Sequence, residues 1–270
     1  MIHFICALKC EARSLIAHYR LKHCTDSASF PLYSSPDKQI SLTISGIGKI
    51  NAAAATAFTH AFLHTEKQDI WLNLGIAGHR ELEIGEITLA HKIIDQASQS
   101  TWYPQIIFTP SCPSVEILSC DKPVTDYTDT LFEMEAAGFY ATACRFASSE
   151  LIHVIKIISD NQQHPAEKMS ESFVAELVKN KLTAVDQIAE SLSSLANHLD
   201  NSNETPDYYD QIIEQWRFTH AEKTILKSCL NRWQVLCPDE NPMKEIDKSL
   251  HGKGVIYQIT HKLDAYPIRF

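Results

Sequence analysis

LIHVIKIISD, residues 151–160, decides the reading of the fold. It is a strongly apolar run, rich in Ile and Val, and it ends in an acid. A short run of this kind suits a strand buried on both faces, as parallel strands are. Working outward, the same alternation recurs. IHFICAL (2–8) precedes the helical CEARSLIAHYR (10–20), and QISLTISG (39–46) precedes KINAAAATAFTHAFLHT, a helix starting just past Gly48. DIWLNLG (69–75) runs into the turn GIAGHR, EIGEITLAHKIIDQ (83–96) reads as two β runs broken near His91, and VEILSC (115–120) is another short strand. The segment 170–199 reads as one long helix with a periodic apolar stripe. Strand alternating with helix implies an α/β fold: a largely parallel sheet with helices on both faces.

TLFEMEAAGFYATACRF (130–146) reads as a helix with two glutamates in its first turns. Thr130 and Glu133 have the spacing of a capping box, and acid there suits the helix dipole. Glu135 instead shares a stripe with Phe132, Phe139 and Phe146. A carboxylate on an apolar stripe costs several kcal/mol unless something pairs with it. In an open parallel sheet, ligands sit at the carboxyl ends of the strands. Those ends carry Glu11, GIGK, GIAGHR and Asp160, so Glu11, Glu135 and Asp160 are expected around one pocket. Taken alone, Glu11 suits the first turn of a helix and Asp160 suits a turn or N-cap. GIGK reads as a tight turn with a solvated lysine, since the Walker pattern is missing, and His79 reads as a surface-loop residue.

The 270 residues allow a large domain with a small one appended, and 44% hydrophobic with 21% charged residues is an ordinary globular composition. A formal net charge of -9 argues against a nucleic-acid surface. The eight cysteines form no CxxC pair and read as reduced thiols, and the thirteen histidines form no HExxH, so neither a disulfide frame nor a metal site is expected. With no signal peptide or long apolar span visible, a cytoplasmic protein without membrane association is expected. The polar stretch 200–210 reads as a linker. Beyond it, 221–236 reads as a helix with Ile225, Leu226, Cys229, Leu230 and Trp233 on one face, and GVIYQITHKL (254–263) as a strand. The expected division is a domain over 1–199 and a small α+β module over 206–270.

The motifs ALKCEA, SGIGKINAAAAT, NLGIAGHRELEIGEI, FEMEAAGFYA and IKIISD, in that order, resemble the nucleoside phosphorylase superfamily. The branch they are most similar to is that of the methylthioadenosine/S-adenosylhomocysteine nucleosidases, over the first two-thirds of the chain. The resemblance implies a three-layer αβα fold with a central mixed, largely parallel twisted sheet. It implies that Glu11 activates the attacking water and that Asp160, beside Ser159, protonates the purine at N7. It also implies that Glu135 holds the ribose hydroxyls, that Met134 packs on sugar and base, and that the backbone of Ala77 and Gly78 approaches the ligand. Cleaving an N-glycosidic bond needs such groups: an acid for the leaving base, carboxylates near a cationic sugar, and a base for water.

Where phosphorylases of the superfamily carry Arg and Ser at the phosphate, this chain has Asn73 and Ile76. That points toward hydrolysis of a purine, adenine-type ribonucleoside, with no cofactor. The nucleosidases have serine where Ile76 stands and arginine where Lys156 stands, so these two positions belong to the expected substrate site. Lys156 or Arg13 is the cation available if inorganic phosphate is a co-substrate. The alternatives are a phosphorylase, and a nucleoside-binding sensor whose appended module is the output. A homo-oligomer, a dimer first, is the expected assembly.

Overall fold

A computed structural model describes the chain except residues 28, 125, 166–168, 202–204, 248–249 and 266–270, and except the side chains of residues 200 and 201. The chain divides into two units, Met1–Asn197 and His198–Phe270. The first is a mixed α/β unit. Its strands are β1 (Ile2–Cys6), β2 (Lys22–His23), β3 (Leu32–Ser34), β4 (Ile40–Ile44), β5 (Ile70–Gly78), β6 (Ile87–Asp95), β7 (Thr101–Trp102), β8 (Ser114–Ser119), β9 (Leu131–Glu133) and β10 (Ile152–Asp160). Its helices are α1 (Lys9–His18), α2 (Lys49–Leu63), α3 (Ala136–Ala143) and α4 (Glu171–Lys179), with α5 (Leu182–Asn201) beginning in it.

All the strands belong to one sheet. The long ladders are parallel: β1 with β4 and β5, β5 with β10, and β6 with β8. The β10–β6 ladder is antiparallel. β9 pairs with β8 and also, through Gly78 opposite Phe132, with β5, so β5, β10, β6, β8 and β9 form a closed circuit. Every residue of β10 is buried, which is why it reads as an unbroken apolar run. On β1, successive residues point to opposite faces: Phe4 stacks on Tyr19 at the end of α1, while Ile5 joins the core cluster with Ala52 of α2 and Phe139 of α3.

Several sequence expectations change. The run 83–96 is one strand, β6, with a register shift between Ala90 and Lys92 that produces the apparent break at His91. The long helix 170–199 is two, α4 and α5, separated at Asn180–Lys181. Residues 130–146 are not one helix. Leu131–Glu133 form β9 and α3 begins only at Ala136, because the leading residues are drawn into pairing with Ile117–Ser119 of β8.

In the second unit the described residues form helices and one 3₁₀ turn: α6 (Tyr209–Gln215), α7 (His220–Leu236), the turn Pro242–Lys244 and α8 (Gly252–Asp264). The expected α+β module is therefore helical among the described residues. Residues 254–263 have the β-branched composition of a strand, but Val255, Ile259 and Leu263 are buried at helical spacing against Leu226, Leu230 and Trp233 of α7. That burial outweighs intrinsic propensity. Ile225, expected on the buried face of α7, is half exposed. The capping box at the start of α7 is formed by Thr219 and Glu222. Among the described residues no helix is long and apolar enough to cross a membrane.

Two features of the first unit have measurable consequences. Gly138 of α3 lies against the backbone of Lys49, where a β-carbon would come within 2.0 Å of the Lys49 carbonyl oxygen. Gly138→Ala must force α2 and α3 apart; a loss of about 3 kcal/mol in chemical denaturation is expected, and an unchanged midpoint would refute the close crossing. His153 is buried in β10 and packs edge-on against Phe108. Burial pushes its pKa down to about 4, against the smaller opposing effect of its hydrogen bond to the Glu150 carbonyl. The unfolded chain takes up a proton near pH 6.5 and the folded chain does not. The stability contributed by neutral His153 is thus complete above pH 6.5 and is lost as pH falls toward 4, by about 3 kcal/mol. Unfolding free energies across that window should slope less steeply in His153→Gln than in the parent chain.

Candidate active site

β1, β5 and β10 run parallel, so their carboxyl ends share one edge of the sheet. A cavity of about 270 Å³ opens there. Ala7, Leu8 and Glu11 line it from the turn after β1 and the start of α1, and Ile76, Ala77 and Gly78 from the end of β5. Ser159 and Asp160 line it from the end of β10, and Glu133, Met134 and Glu135 from the β9–α3 junction. The wall is completed by Ile47, Met169, Phe132 and a segment that includes Cys120, Lys122 and Tyr127.

Glu11 is buried, and both of its carboxylate oxygens accept backbone N–H groups. Oε2 takes that of Leu8 at 2.8 Å, inside its own helix start, and Oε1 takes that of Ile76 at 3.0 Å, across on β5. The first bond is the local helix-terminus role expected of an acid there; the second exists only in the folded chain. Burial raises the Glu11 pKa, opposed by Lys156 and by these N–H donors. Gly75 makes room for the arrangement, since a β-carbon there would lie 2.9 Å from Glu11 Oε1 and 3.4 Å from Lys156 Nζ.

Lys156 does not line the cavity. It is 1% exposed, and its ammonium lies beneath the acids, 2.8 Å from Glu133 Oε2 and 3.9 Å from Glu135 Oε2. Burial alone would lower its pKa, but the charges of Glu133, Glu135 and Glu11 outweigh burial and hold it above the ordinary value. Glu135 is the reverse case. Burial first, then the neighbouring Glu133, push its pKa up to about 7 against the pull of Lys156 and of the Gly48 N–H, which donates to Glu135 Oε1 at 2.7 Å.

Glu133 is not part of a capping box with Thr130. Its Oε2 accepts the N–H groups of Glu135 and Ala136 at 2.9 and 2.8 Å, its Oε1 accepts the Ser119 hydroxyl, and Ser119 Oγ accepts the Ala137 N–H. Glu133 and Ser119 thus cap α3 from the sheet, leaving Glu135, the N-cap residue, to face the cavity. Two other expectations change. Lys49 is not a solvated turn lysine but is paired with Asp95 and Asp121. His79 is buried, and its Nδ1 accepts the N–H groups of Glu81 and Leu82, which closes the turn after β5.

Asp160 is not an isolated turn residue: it is the last residue of β10, and its backbone carbonyl accepts the His79 N–H. Its Oδ1 accepts the Ser159 hydroxyl at 2.5 Å and its Oδ2 accepts the Tyr127 phenol. The fold therefore brings Glu11, Glu135, Met134, Ile76, Ala77, Gly78, Ser159 and Asp160 to one cavity and sets Lys156 behind it. Sequence reading gave Glu133 a capping role only, and it missed Tyr127. A lysine inside an apolar strand demands a buried carboxylate, a signal that asks for a partner without naming which. Tyr127 lies in a polar, turn-rich stretch and carries no sequence signal.

No family model and no curated protein matches this sequence. Solved structures do. The chain is similar to 5′-methylthioadenosine/S-adenosylhomocysteine nucleosidase from Helicobacter pylori, determined with butyl-thio-DADMe-Immucillin-A (TM-score 0.57, 14% identity, covering 70% of this chain and 97% of that one). It is equally similar to futalosine hydrolase of Helicobacter pylori strain 26695 (TM-score 0.57, 14% identity, covering 70% and 97%). A nucleosidase from Colwellia psychrerythraea in complex with adenine aligns at TM-score 0.53 and 19% identity, covering 68% of this chain and 94% of that one. The likeness is one of fold: this chain has a mixed α/β fold similar to that of these nucleosidase and futalosine hydrolase structures.

Proposed function

We propose that the first unit hydrolyses the N-glycosidic bond of a purine ribonucleoside, adenine-type first, to the free base and the sugar. The observation that carries this reading is the convergence of Glu11, Glu135 and Asp160, from three separate elements, on one cavity beside Met134. In the proposed reaction Asp160 donates a proton to the departing base, which leaves neutral. Glu135, buried and held by the Gly48 N–H, accepts hydrogen bonds from the ribose hydroxyls and favours the positive charge that develops on the ring. Glu11, made more basic by burial, takes the proton of the attacking water. Met134 and the backbone of Ala77 and Gly78 supply the apolar and close-packed walls that a sugar and a flat base need.

Hydrolysis is favoured over phosphorolysis by charge. The two cations nominated for phosphate are engaged elsewhere: Lys156 is committed to Glu133 and Glu135, and Arg13 is largely exposed with Glu171 at 4.0 Å. The site near Ile76 instead presents the Glu11 carboxylate, which repels a phosphate dianion. A cytoplasmic homodimer belongs to the same proposal.

A panel of purine ribonucleosides assayed with and without phosphate tests the reading. The expected product is free ribose or its 5′-substituted form at a rate indifferent to phosphate, and Asp160→Asn should lower turnover about a hundredfold or more while the melting temperature stays close to the parent's. Ribose 1-phosphate as product, or an Asp160→Asn variant near the parent rate, would contradict it. The pH profile gives a second check. Ionised Glu135 is the form that accepts from the ribose hydroxyls, so kcat/KM should climb with pH through about 7. Glu135→Gln should be slower and lose that rising limb; a limb unchanged in the variant would assign it to another group.

A further inference from the structure

We propose that Tyr127 is a specificity-determining residue that occupies the base position itself: its phenol stands at Asp160 where the leaving base would stand, and a base enters by displacing it. The base position is taken from the proposed function, but the placement of the phenol is independent of it. The Tyr127 hydroxyl donates to Asp160 Oδ2 while Ser159 donates to Oδ1, so both carboxyl oxygens are accepting. A carboxylate held in this way carries no proton for a base: the phenol must leave Oδ2, and that oxygen must take up a proton from solvent, before Asp160 can act as the acid.

The ring is admitted by a glycine. A β-carbon on residue 78 would lie 2.6 Å from Tyr127 Cε1, 2.9 Å from Cζ and 2.6 Å from Asp160 Oδ2. A side chain at residue 78 would thus meet both the Asp160 carboxylate and the ring that sits on it. Phe132 borders the ring, with centroids 5.8 Å apart, and both side chains line the cavity. Burial, and then the Asp160 carboxylate, push the phenol's pKa up, so it remains a hydrogen-bond donor throughout the neutral range. What displaces it must offer the same two features, a flat aromatic ring and an edge that hydrogen-bonds a carboxyl group. A purine presents both.

The test is the affinity of the full chain for adenine, measured by calorimetry for the parent, Tyr127→Phe and Tyr127→Ala. When a competing side chain must leave, apparent affinity scales with the fraction of molecules in which it has left. Tyr127→Phe, which loses only the hydroxyl, should bind adenine about tenfold more tightly than the parent, and Tyr127→Ala more tightly still. Affinities that fall in that order would make Tyr127 a reader of the base, and equal affinities would remove it from the base position; either result overturns the proposal. A second arm needs no nucleoside chemistry. Phenol should bind Tyr127→Ala but not the parent, as seen by ligand-detected NMR, and failure to bind the variant would refute the placement. Phenol binding to Tyr127→Ala with no adenine binding to any of the three proteins would uphold the placement and refute the purine site.

Discussion

A single buried ammonium organises the centre of the first unit. Lys156 lies in the middle of the all-buried β10, and an unpaired charge there would cost several kcal/mol. It is matched by Glu133 at 2.8 Å, with Glu135 and Glu11 in its field. Because Glu133 is held in that pair, it also caps α3 with the same oxygen, and the direction in which α3 leaves the sheet follows. One cation is shared among three carboxylates, all of which line the cavity, and burial raises the pKa of Glu135 and of Glu11 against its pull. Removing one partner would strand the others, so the arrangement is poor as a source of stability and strong as a constraint on geometry.

Small residues make that density of charge possible. β5 ends in GIAG, and without side chains at residues 75 and 78 the carboxylates of Glu11 and Asp160 come within reach of its backbone. The Ile76 N–H is thereby spent on Glu11 instead of on a neighbouring strand. A third glycine, Gly138, lets α3 approach α2 closely, which carries Glu135 to the Gly48 N–H at the head of α2. Five segments far apart in the chain, around Glu11, Gly48, residues 75–78, residues 135–138 and Asp160, are thus brought together, and β-carbons at residues 75, 78 and 138 would obstruct the approach.

The second unit has a core of its own. Trp233 is 2% exposed, donates its indole N–H to the Glu240 carbonyl, and packs with Leu226 and Leu230 against Val255, Ile259 and Leu263. Among the described residues, those lining the cavity belong to the first unit.

The sequence by itself determined the α/β class, the main strands, the helices α1, α2 and α7, and the meeting of Glu11, Glu135 and Asp160 at one cavity. These were legible because burial on both faces of a parallel sheet writes itself as apolar runs such as IKII, and because parallel strands gather the polar residues that follow them along one edge. Local patterning misread the segments whose partners are distant. Residues 131–133 have helical company on one side, but β8 supplies a ladder and pulls them into the sheet. Residues 254–263 have strand composition, but α7 supplies an apolar face at helical spacing. Glu133 has a cap's position in sequence, yet its partner is a lysine 23 residues onward, and Tyr127 meets Asp160 across 33 residues of chain. Only tertiary structure decided these, because a hydrogen bond or an ion pair between remote segments leaves no periodicity in either of them.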